Sequence, residues 1–228
     1  MYQGKVAVIT ANMGNFEKSV GYVRQSVNYD FYMFTDRNFA PRIKSMTPRL
    51  QARIVKMFGW QMAPDYDLYI WVDSSFSLLH PDSVKWLIEQ CGDKDMAVFA
   101  HPNRKTIQEE GYYLRKCRRN GDPYIRERYK NEMIEDQMEE IMADKGYVDN
   151  RLFASTFYVY RNNEKVRGMM KEWWYHTSRY HSVDQLSFPY AIWKFGCRVN
   201  VVPAEYYEGP YQTFIRRGII ENHPQHNA

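Results

Sequence analysis

The chain has 228 residues, of which 44% are hydrophobic and 16% are aromatic, and its formal net charge is +4. This composition excludes a disordered chain, and the mild charge argues against a nucleic-acid partner. Cys91, Cys117 and Cys197 form no CxxC pair, which argues against a zinc site or a disulfide framework. The apolar run near the N-terminus is too short for a signal peptide, and no later run is long enough for a transmembrane segment. A cytoplasmic location is therefore the default expectation.

Six apolar runs predict β-strands, and they cover residues 5–10, 29–35, 68–72, 96–100, 152–160 and 198–202. In open α/β sheets, ligands bind beyond the carboxyl ends of strands. The polar residues at the exits of the first four strands are therefore candidate site residues: Thr10, Asn12, Asp36, Asp73, Ser75, His101 and Arg104. The last two have an equally good alternative, which is that they simply terminate the fourth strand.

Segments with helical spacing of apolar residues alternate with these strands. The first covers residues 50–62 and carries Arg53 and Lys56, three positions apart. The pattern of apolar residues after Pro123 predicts one longer amphipathic helix. Strands alternating with helices predict a single α/β domain over residues 1–228, with a mainly parallel central sheet flanked by helices. Residues 203–228 are expected to form a C-terminal tail that closes over or near the site.

Asp73 follows the most uniformly apolar strand of the chain. Such a strand is typical of the middle of a sheet that is covered on both faces. An acid at its exit, beside small hydroxyl residues, suits a cation that bridges a phosphate. The alternative is that Asp73 only caps a turn, because Asp and Ser favour turns through local hydrogen bonds.

The order of these motifs resembles that of GT-A-fold glycosyltransferases. It is more closely similar to the glycosyltransferase-like domain family found in plant mucilage-related proteins. The resemblance runs from about Lys5 to about Pro203 and implies a single GT-A-like (Rossmann-like) domain. The motifs that carry it are Thr10-x-Asn12, Thr35-Asp36, Arg53-x-x-Lys56, Trp71-Val-Asp73-Ser-Ser75 and Ser182-Val-Asp184-Gln185.

The resemblance implies a nucleotide-sugar site. Thr10 and Asn12 match the loop that meets the nucleotide, and Asp36 matches a contact to the base or the ribose. Arg53 and Lys56 match basic helix positions near the diphosphate. His101 and Arg104 are candidates to face the donor sugar or the acceptor.

The resemblance also implies a divalent metal, Mn²⁺ or Mg²⁺. Asp73 and Ser75 occupy the Asp-x-Asp slot that normally holds such a metal against the diphosphate. Ser75 departs from the pattern, and a hydroxyl is a weaker metal ligand than a carboxylate, which leaves metal dependence open. His223 matches, by position only, a late histidine that some metal-using members supply. The alternative is that it lies in a frayed tail.

Asp184 and Gln185 resemble the acidic segment near the acceptor and the donor sugar. In an inverting enzyme Asp184 would act as general base on the acceptor hydroxyl. In a retaining enzyme a carboxylate and Gln185 would flank the anomeric carbon. The alternative reading makes Asp184 a favourable charge at a helix N-terminus and Gln185 part of a capping box with Ser182.

The leading hypothesis is a glycosyltransferase that moves a sugar from a nucleotide diphosphate sugar to a hydroxyl of a glycan or another acceptor. A non-catalytic nucleotide- or glycan-binding module is the alternative, because the second acid of the metal motif is missing. A metal-dependent hydrolase is a weaker alternative, since the histidines show no ligand spacing.

Overall fold

The computed structural model describes residues 2–15, 22–39, 46–130, 132–181, 183–207, 209–211 and 213–214. Its strands are β1 Val6–Asn12, β2 Asp30–Thr35, β3 Leu68–Val72, β4 Phe76–Ser77, β5 Met96–Ala100, β6 Phe153–Arg161, β7 Val199–Val201 and β8 Thr213–Phe214. Its α-helices are α1 Pro48–Met62, α2 Ser83–Cys91, α3 Ile107–Arg119, α4 Pro123–Arg128, α5 Ile134–Ala143, α6 Glu164–Tyr180 and α7 Asp184–Lys194.

The central sheet of the described residues has the strand order β2-β1-β3-β6-β5-β7. Strand β1 is parallel to β2 and β3, and β5 is parallel to β7. Only β6 runs in the opposite direction, because it is antiparallel to both of its neighbours. The predicted α/β domain with a mainly parallel sheet is therefore confirmed.

The strand exits share one edge of the sheet because the strands are parallel. In the register of β1, Asn12 lies opposite Thr35 of β2, and Ile9 lies opposite Trp71 of β3. Strand β5 runs in the same direction as β3, since both are antiparallel to β6. Polar residues after β1, β2, β3 and β5 consequently reach the same edge, as the strand pattern predicts.

The core has a different set of helices on each face of the sheet. Helices α1, α6 and α7 contribute Val55, Trp173 and Phe188 to the apolar cluster on one face. Helix α2 contributes Val84 and Leu87 to the cluster on the other face. Helices α3, α4 and α5 follow β5 in the chain and form a third cluster with α7. Strand β3 is buried on both sides, which explains its unbroken apolar sequence.

Helix α1 approaches β1 closely because Gly59 has no side chain. A Cβ atom at that position would lie 2.6 Å from Cδ1 of Ile9. Gly59 therefore lets α1 lie close to the sheet, which brings the charged side chains of the helix near the sheet edge.

The prediction of one longer helix after Pro123 is wrong, because α4 ends at Arg128 and α5 begins at Ile134. Between them, the backbone N–H of Met133 donates a hydrogen bond to the carbonyl of Tyr180, and buried Glu132 pairs with Arg49 of α1. These long-range contacts replace the helical pattern at the break.

No helix in the part of the chain that the structure describes is long and apolar enough to cross a membrane.

Candidate active site

Helix α1 carries three cationic side chains on one face. Arg49, Arg53 and Lys56 are separated by four and three positions, which places them on neighbouring turns. Their partners are Glu132, which precedes α5, and Asp184, the first residue of α7. The charged face of α1 therefore connects helices that are distant in sequence.

Lys56 is the centre of the charge cluster. Its side chain is only 2% exposed, and Nζ lies 2.5 Å from Oδ2 of Asp184. Nζ also donates a hydrogen bond to Oγ of Ser155 at 3.2 Å and lies 3.8 Å from Oδ1 of Asp73. Oxygen partners from α7, β6 and the exit of β3 thus compensate a buried ammonium that would otherwise be unfavourable.

Asp184 is held as a carboxylate by two cations. Arg53 donates a hydrogen bond from an Nη atom to Oδ1 at 2.9 Å, while Lys56 occupies Oδ2. Burial by itself raises the pKa of Asp184, but the charges of Arg53 and Lys56 more than offset this and leave the pKa well below its usual range. Asp184 therefore stays ionised at neutral pH while both ion pairs persist.

Asp73 is the more accessible of the two carboxylates, with 30% of its side chain exposed. Trp71 donates a hydrogen bond from Nε1 to Oδ1 at 2.6 Å, and the backbone N–H of Asp73 donates to the carbonyl of Thr156 at 2.8 Å. Desolvation raises the pKa of Asp73, although the charge of Lys56 favours its ionised form. Asp73 is thus the acid of this pair that a ligand in the cleft can reach.

Two indole rings frame Lys56. Its Nζ lies 5.8 Å from the ring centroid of Trp71 and 5.4 Å from that of Trp173. Trp173 also donates a hydrogen bond from Nε1 to the backbone carbonyl of Asp184 at 2.7 Å. The two tryptophans therefore both surround the cation and hold the two acidic residues that flank it.

Sequence reasoning missed Trp71, Ser155 and Trp173 as members of the site. Trp71 had a usable signal, because a residue two positions before Asp73 in an extended strand lies on the same face of the sheet. The signal for Ser155 was weaker: it is a small polar residue within an apolar strand. For Trp173 no signal existed, since its apolar spacing in α6 predicts only a core position.

The other predicted nucleotide-binding residues lie along the same edge. Thr10 is fully buried near the end of β1 and lies beside the phenol of Tyr22, while Asn12 is the half-buried last residue of that strand. Asp36 accepts a hydrogen bond from the backbone N–H of Gly14 at 2.8 Å. Gly14 has a φ of 69°, so the turn after β1 needs a backbone conformation that glycine adopts at little cost.

His101 and Arg104 close the turn after β5. Nδ1 of His101 accepts hydrogen bonds from the backbone N–H groups of Asn103 and Arg104, and burial lowers the pKa of His101 to about 3. Arg104 forms an ion pair with Glu110, and its guanidinium lies 4.1 Å from the ring centroid of Tyr113. These contacts favour the reading in which the two residues terminate the strand.

For the remaining predicted residues that it describes, the structure gives the burial or the place in the chain but no contact with the charge cluster. Ser75 is half-buried two positions after Asp73, and Gln185 is the half-buried second residue of α7. Val183 is the N-cap of α7 and makes no side-chain capping bond. His223 and Ser182 lie outside the described residues, so the suggested metal ligand and the capping box stay predictions.

The described residues contain no cluster of three His, Cys, Asp or Glu side chains able to hold a metal ion. They do offer the Asp73 carboxylate and the nearby Ser75 hydroxyl, and both are oxygen donors. Mg²⁺ commonly binds through one or two carboxylates together with substrate phosphates and water. The donor set therefore fits a cation whose shell is completed by a diphosphate.

The C-terminal tail returns to the strand exit that carries Asp73. Tyr206 is buried, forms a hydrogen bond with the Thr156 hydroxyl, and packs with its ring centroid 5.4 Å from that of Phe76. Further along, β8 pairs antiparallel with β4, which begins three residues after Asp73. The described part of the tail thus lies beside the exit of β3, while the closing of residues 203–228 over the site stays a prediction.

A family profile described as TOD1/MUCI70, glycosyltransferase-like domain, matches residues 41–217. Because this match covers most of the chain, the protein belongs to the TOD1/MUCI70 glycosyltransferase-like domain family. A search of curated protein sequences gives no match.

Solved structures of three glycosyltransferases align with this chain. The bifunctional glycosyltransferase WbbM aligns with a TM-score of 0.52 at 14% identity, over 89% of this chain but only 39% of the WbbM chain. Mouse xyloside xylosyltransferase 1 aligns with a TM-score of 0.44 at 8% identity, over 87% and 85% of the two chains. The galactosyltransferase LgtC, solved with donor and acceptor sugar analogues, gives 0.40 at 10%, over 92% and 86%. At these identities the WbbM match establishes the fold alone, and it agrees with the predicted GT-A-like domain.

Proposed function

We propose that this glycosyltransferase-like domain transfers a sugar from a nucleotide diphosphate sugar to an acceptor hydroxyl. One observation carries the proposal: an accessible carboxylate, Asp73, lies at the sheet edge 3.8 Å from the buried cation Lys56, which shares Asp184 with the half-buried Arg53. Family membership supplies the reaction class, and the charge cluster supplies the chemistry that the reaction needs. The diphosphate donor and the hydroxyl acceptor are both part of the proposal.

Loss of a diphosphate leaving group requires positive charge where negative charge develops. In the proposal, Asp73 and Ser75 hold a divalent cation, Mn²⁺ or Mg²⁺, against the diphosphate. Such a cation, when bound, neutralises the developing charge on the leaving group. Arg53 and Lys56 add a fixed positive potential behind Asp73, and their ion pairs with Asp184 prevent reorganisation during the reaction.

The nucleotide is assigned to the half of the sheet edge formed by β1 and β2. Asn12 ends β1 and Asp36 directly follows β2, while the buried Thr10 lies two positions before the end of β1. Strand β1 is the neighbour of β3, whose exit carries Asp73. A nucleotide bound along these exits would extend its diphosphate toward Asp73. The acceptor then approaches from the β5 and α7 side, where Gln185 is half-buried.

Asp184 is assigned a holding role in this proposal. Its two ion pairs and its lowered pKa make it a weak proton acceptor while both pairs persist. Its proposed task is to fix Arg53 and Lys56 beside the reacting sugar. The general-base role in an inverting reaction, and the role beside Gln185 in a retaining one, remain predictions that a measured stereochemical outcome would separate.

Incubation with a panel of nucleotide sugars, with and without Mn²⁺, tests the proposal. We expect release of free nucleoside diphosphate that depends on the cation and increases when an acceptor is added. Asp73→Asn should abolish this release and leave the melting temperature nearly unchanged, because a partly exposed acid contributes little stability. Asp136→Asn, on the exposed face of α5, is the matched control and should release nucleoside diphosphate as the wild type does.

A nucleotide- or glycan-binding module is the second candidate function. This function is favoured because Ser75 stands where the metal motif normally has its second acid. The exit of β3 therefore offers one accessible carboxylate, that of Asp73. Such a module would bind a nucleoside diphosphate sugar without releasing the diphosphate from it. Binding without release, across the whole panel and with acceptors present, would contradict the transferase proposal and support the module.

A further inference from the structure

We propose that Trp71 is a positioning residue that fixes the Asp73 carboxylate so that only Oδ2 is offered to a cation in the cleft. This inference rests on the proposed function, because it concerns how Asp73 would hold the cation against a diphosphate. It assigns a role to Trp71, which stands in the motif Trp71-Val-Asp73-Ser-Ser75 but to which the resemblance gives no function. It also assigns a cation selectivity to the site.

The geometry occupies one oxygen of Asp73 and leaves the other open. Nε1 of Trp71 donates to Oδ1 at 2.6 Å, and Nζ of Lys56 lies 3.8 Å from the same oxygen. Within the described residues no hydrogen bond reaches Oδ2. Because 30% of the Asp73 side chain is exposed, its open oxygen is the one available to a ligand.

Trp71 is held rigidly enough to impose this orientation. Its side chain is 3% exposed and belongs to the apolar cluster on the α1 face of the sheet. Asp73 directly follows β3, and the bond from its backbone N–H to the carbonyl of Thr156 continues the pairing with β6. Its side chain therefore lies on the same side as that of Trp71, two positions earlier. The indole cannot follow the carboxylate if the latter rotates, and rotation would break the bond to Nε1.

A carboxylate with one free oxygen discriminates between cations. Mn²⁺ resembles Mg²⁺ in its preference for oxygen ligands. Mg²⁺ requires near-octahedral geometry, which a monodentate carboxylate suits, whereas Ca²⁺ takes six to eight oxygens and readily accepts both oxygens of one carboxylate. By occupying Oδ1, Trp71 would favour Mn²⁺ and Mg²⁺ over Ca²⁺. Loss of the indole N–H should therefore weaken Mn²⁺ binding more than Ca²⁺ binding.

Calorimetric titration with Mn²⁺ and with Ca²⁺ tests this inference. The titrations use the nucleoside diphosphate, among UDP, GDP, CDP and ADP, that raises the wild-type melting temperature most. In Trp71→Phe we expect Mn²⁺ affinity to fall about tenfold or more, as is usual when the hydrogen-bond partner of a metal ligand is removed. Ca²⁺ affinity should fall less, so the ratio of the two affinities should shrink.

Trp60→Phe is the matched control. It makes the same substitution in α1, where the indole Nε1 donates, among the described residues, only to the carbonyl of Met57. This variant should leave both affinities unchanged. A double variant of Trp71→Phe with Asp73→Asn should bind Mn²⁺ no more weakly than Asp73→Asn alone, because Trp71 acts through that carboxylate.

A measurement on the wild type covers the case in which Trp71→Phe does not fold. The Trp71 indole N–H should stay protected from solvent exchange when Mg²⁺ and the diphosphate bind, since Oδ1 remains its acceptor. Loss of that protection, an unchanged Mn²⁺ affinity in Trp71→Phe, or equal losses for both cations would each overturn the inference while leaving the proposed function intact. A wild type that binds no diphosphate with Mn²⁺ would instead overturn the proposed function, and the inference with it.

Discussion

At the scale of single residues, the partners of each charge set its chemistry. Lys56 and Asp184 are both buried, and each has more than one charged or polar partner. Removing one member of a buried ion pair usually costs more than the pair contributes, because the other charge is left uncompensated. Asp184 is therefore a sensitive position for stability as well as for turnover.

Asp184→Asn is expected to destabilise the protein by about 3 kcal/mol or more, since Lys56 and Arg53 would lose their shared carboxylate. Turnover should also fall by about a hundredfold, because the two cations would no longer be fixed beside Asp73. Chemical denaturation and nucleoside diphosphate release on the same variant provide both measurements.

Glu164→Gln supplies the control for Asp184→Asn. Glu164 is an exposed acid in the first position of α6, so its substitution removes only a favourable helix-dipole charge worth about 1 kcal/mol or less. If Asp184→Asn lost no more stability than this control, the ion pairs would contribute nothing and Asp184 would be a simple helix-terminal charge.

At the scale of elements, α1 joins parts of the fold that are far apart in sequence. Its residue Arg49 pairs with Glu132 before α5 and donates a hydrogen bond to the carbonyl of His181, three residues before Asp184. Met133 is bonded in turn to the end of α6. The first turn of α1 therefore fixes both the break between α4 and α5 and the approach to α7.

The Arg49–Glu132 contact predicts a pH dependence. Burial outweighs the charge of Arg49 and raises the pKa of Glu132 to about 7. The folded protein then binds this proton more tightly than the unfolded chain, where a Glu titrates near pH 4.3. The contribution to stability is fully present below that value, and it is lost as the pH rises through about 7.

Glu132→Gln should remove this loss of stability between pH 4.5 and pH 7.5, which amounts to at most about 3 kcal/mol. Urea denaturation at several pH values measures it, with the exposed Glu135→Gln as the comparison. A wild-type curve that is flat across this range, or one that Glu132→Gln does not change, would show that folding does not raise the pKa of Glu132.

At the scale of the whole molecule, the candidate site draws on elements from the start to the end of the fold. A ligand that bridges these elements stabilises the folded state in proportion to its affinity. At a hundred times its dissociation constant, a nucleoside diphosphate with Mn²⁺ adds about 2.7 kcal/mol. For a chain of this length, the melting temperature should rise by about 5–10 °C.

Thermal denaturation with nucleoside diphosphate alone, Mn²⁺ alone and both together measures this shift. The shift should be largest with both and small with Mn²⁺ alone, because the accessible Asp73 carboxylate and Ser75 need phosphate oxygens to complete a cation shell. Asp73→Asn should lose the combined shift. A full shift with Mn²⁺ alone would mean a richer metal site than these two residues provide.

The sequence by itself determined the six strands of the central sheet and the position of Asp73, but not the short strands β4 and β8. Residues 68–72 and 96–100 were predicted to the residue, because each forms an apolar run bounded by polar or turn-forming residues. Parallel strand direction then requires their exits to share an edge. A local signal also marks the start of α6, where the side chain of Asn163 accepts a hydrogen bond from the backbone N–H of Val166.

Only the tertiary structure decided which charges meet. Lys56 and Asp184 are 128 residues apart, and nothing in the local pattern of either helix indicates that they form a buried pair. Nor did periodicity reveal that Trp71 would bind Asp73, or that Glu132 would interrupt the helix after Pro123. Periodicity reports which face of an element is apolar, whereas ion pairs and indole hydrogen bonds depend on how separate elements dock against one another across the sheet.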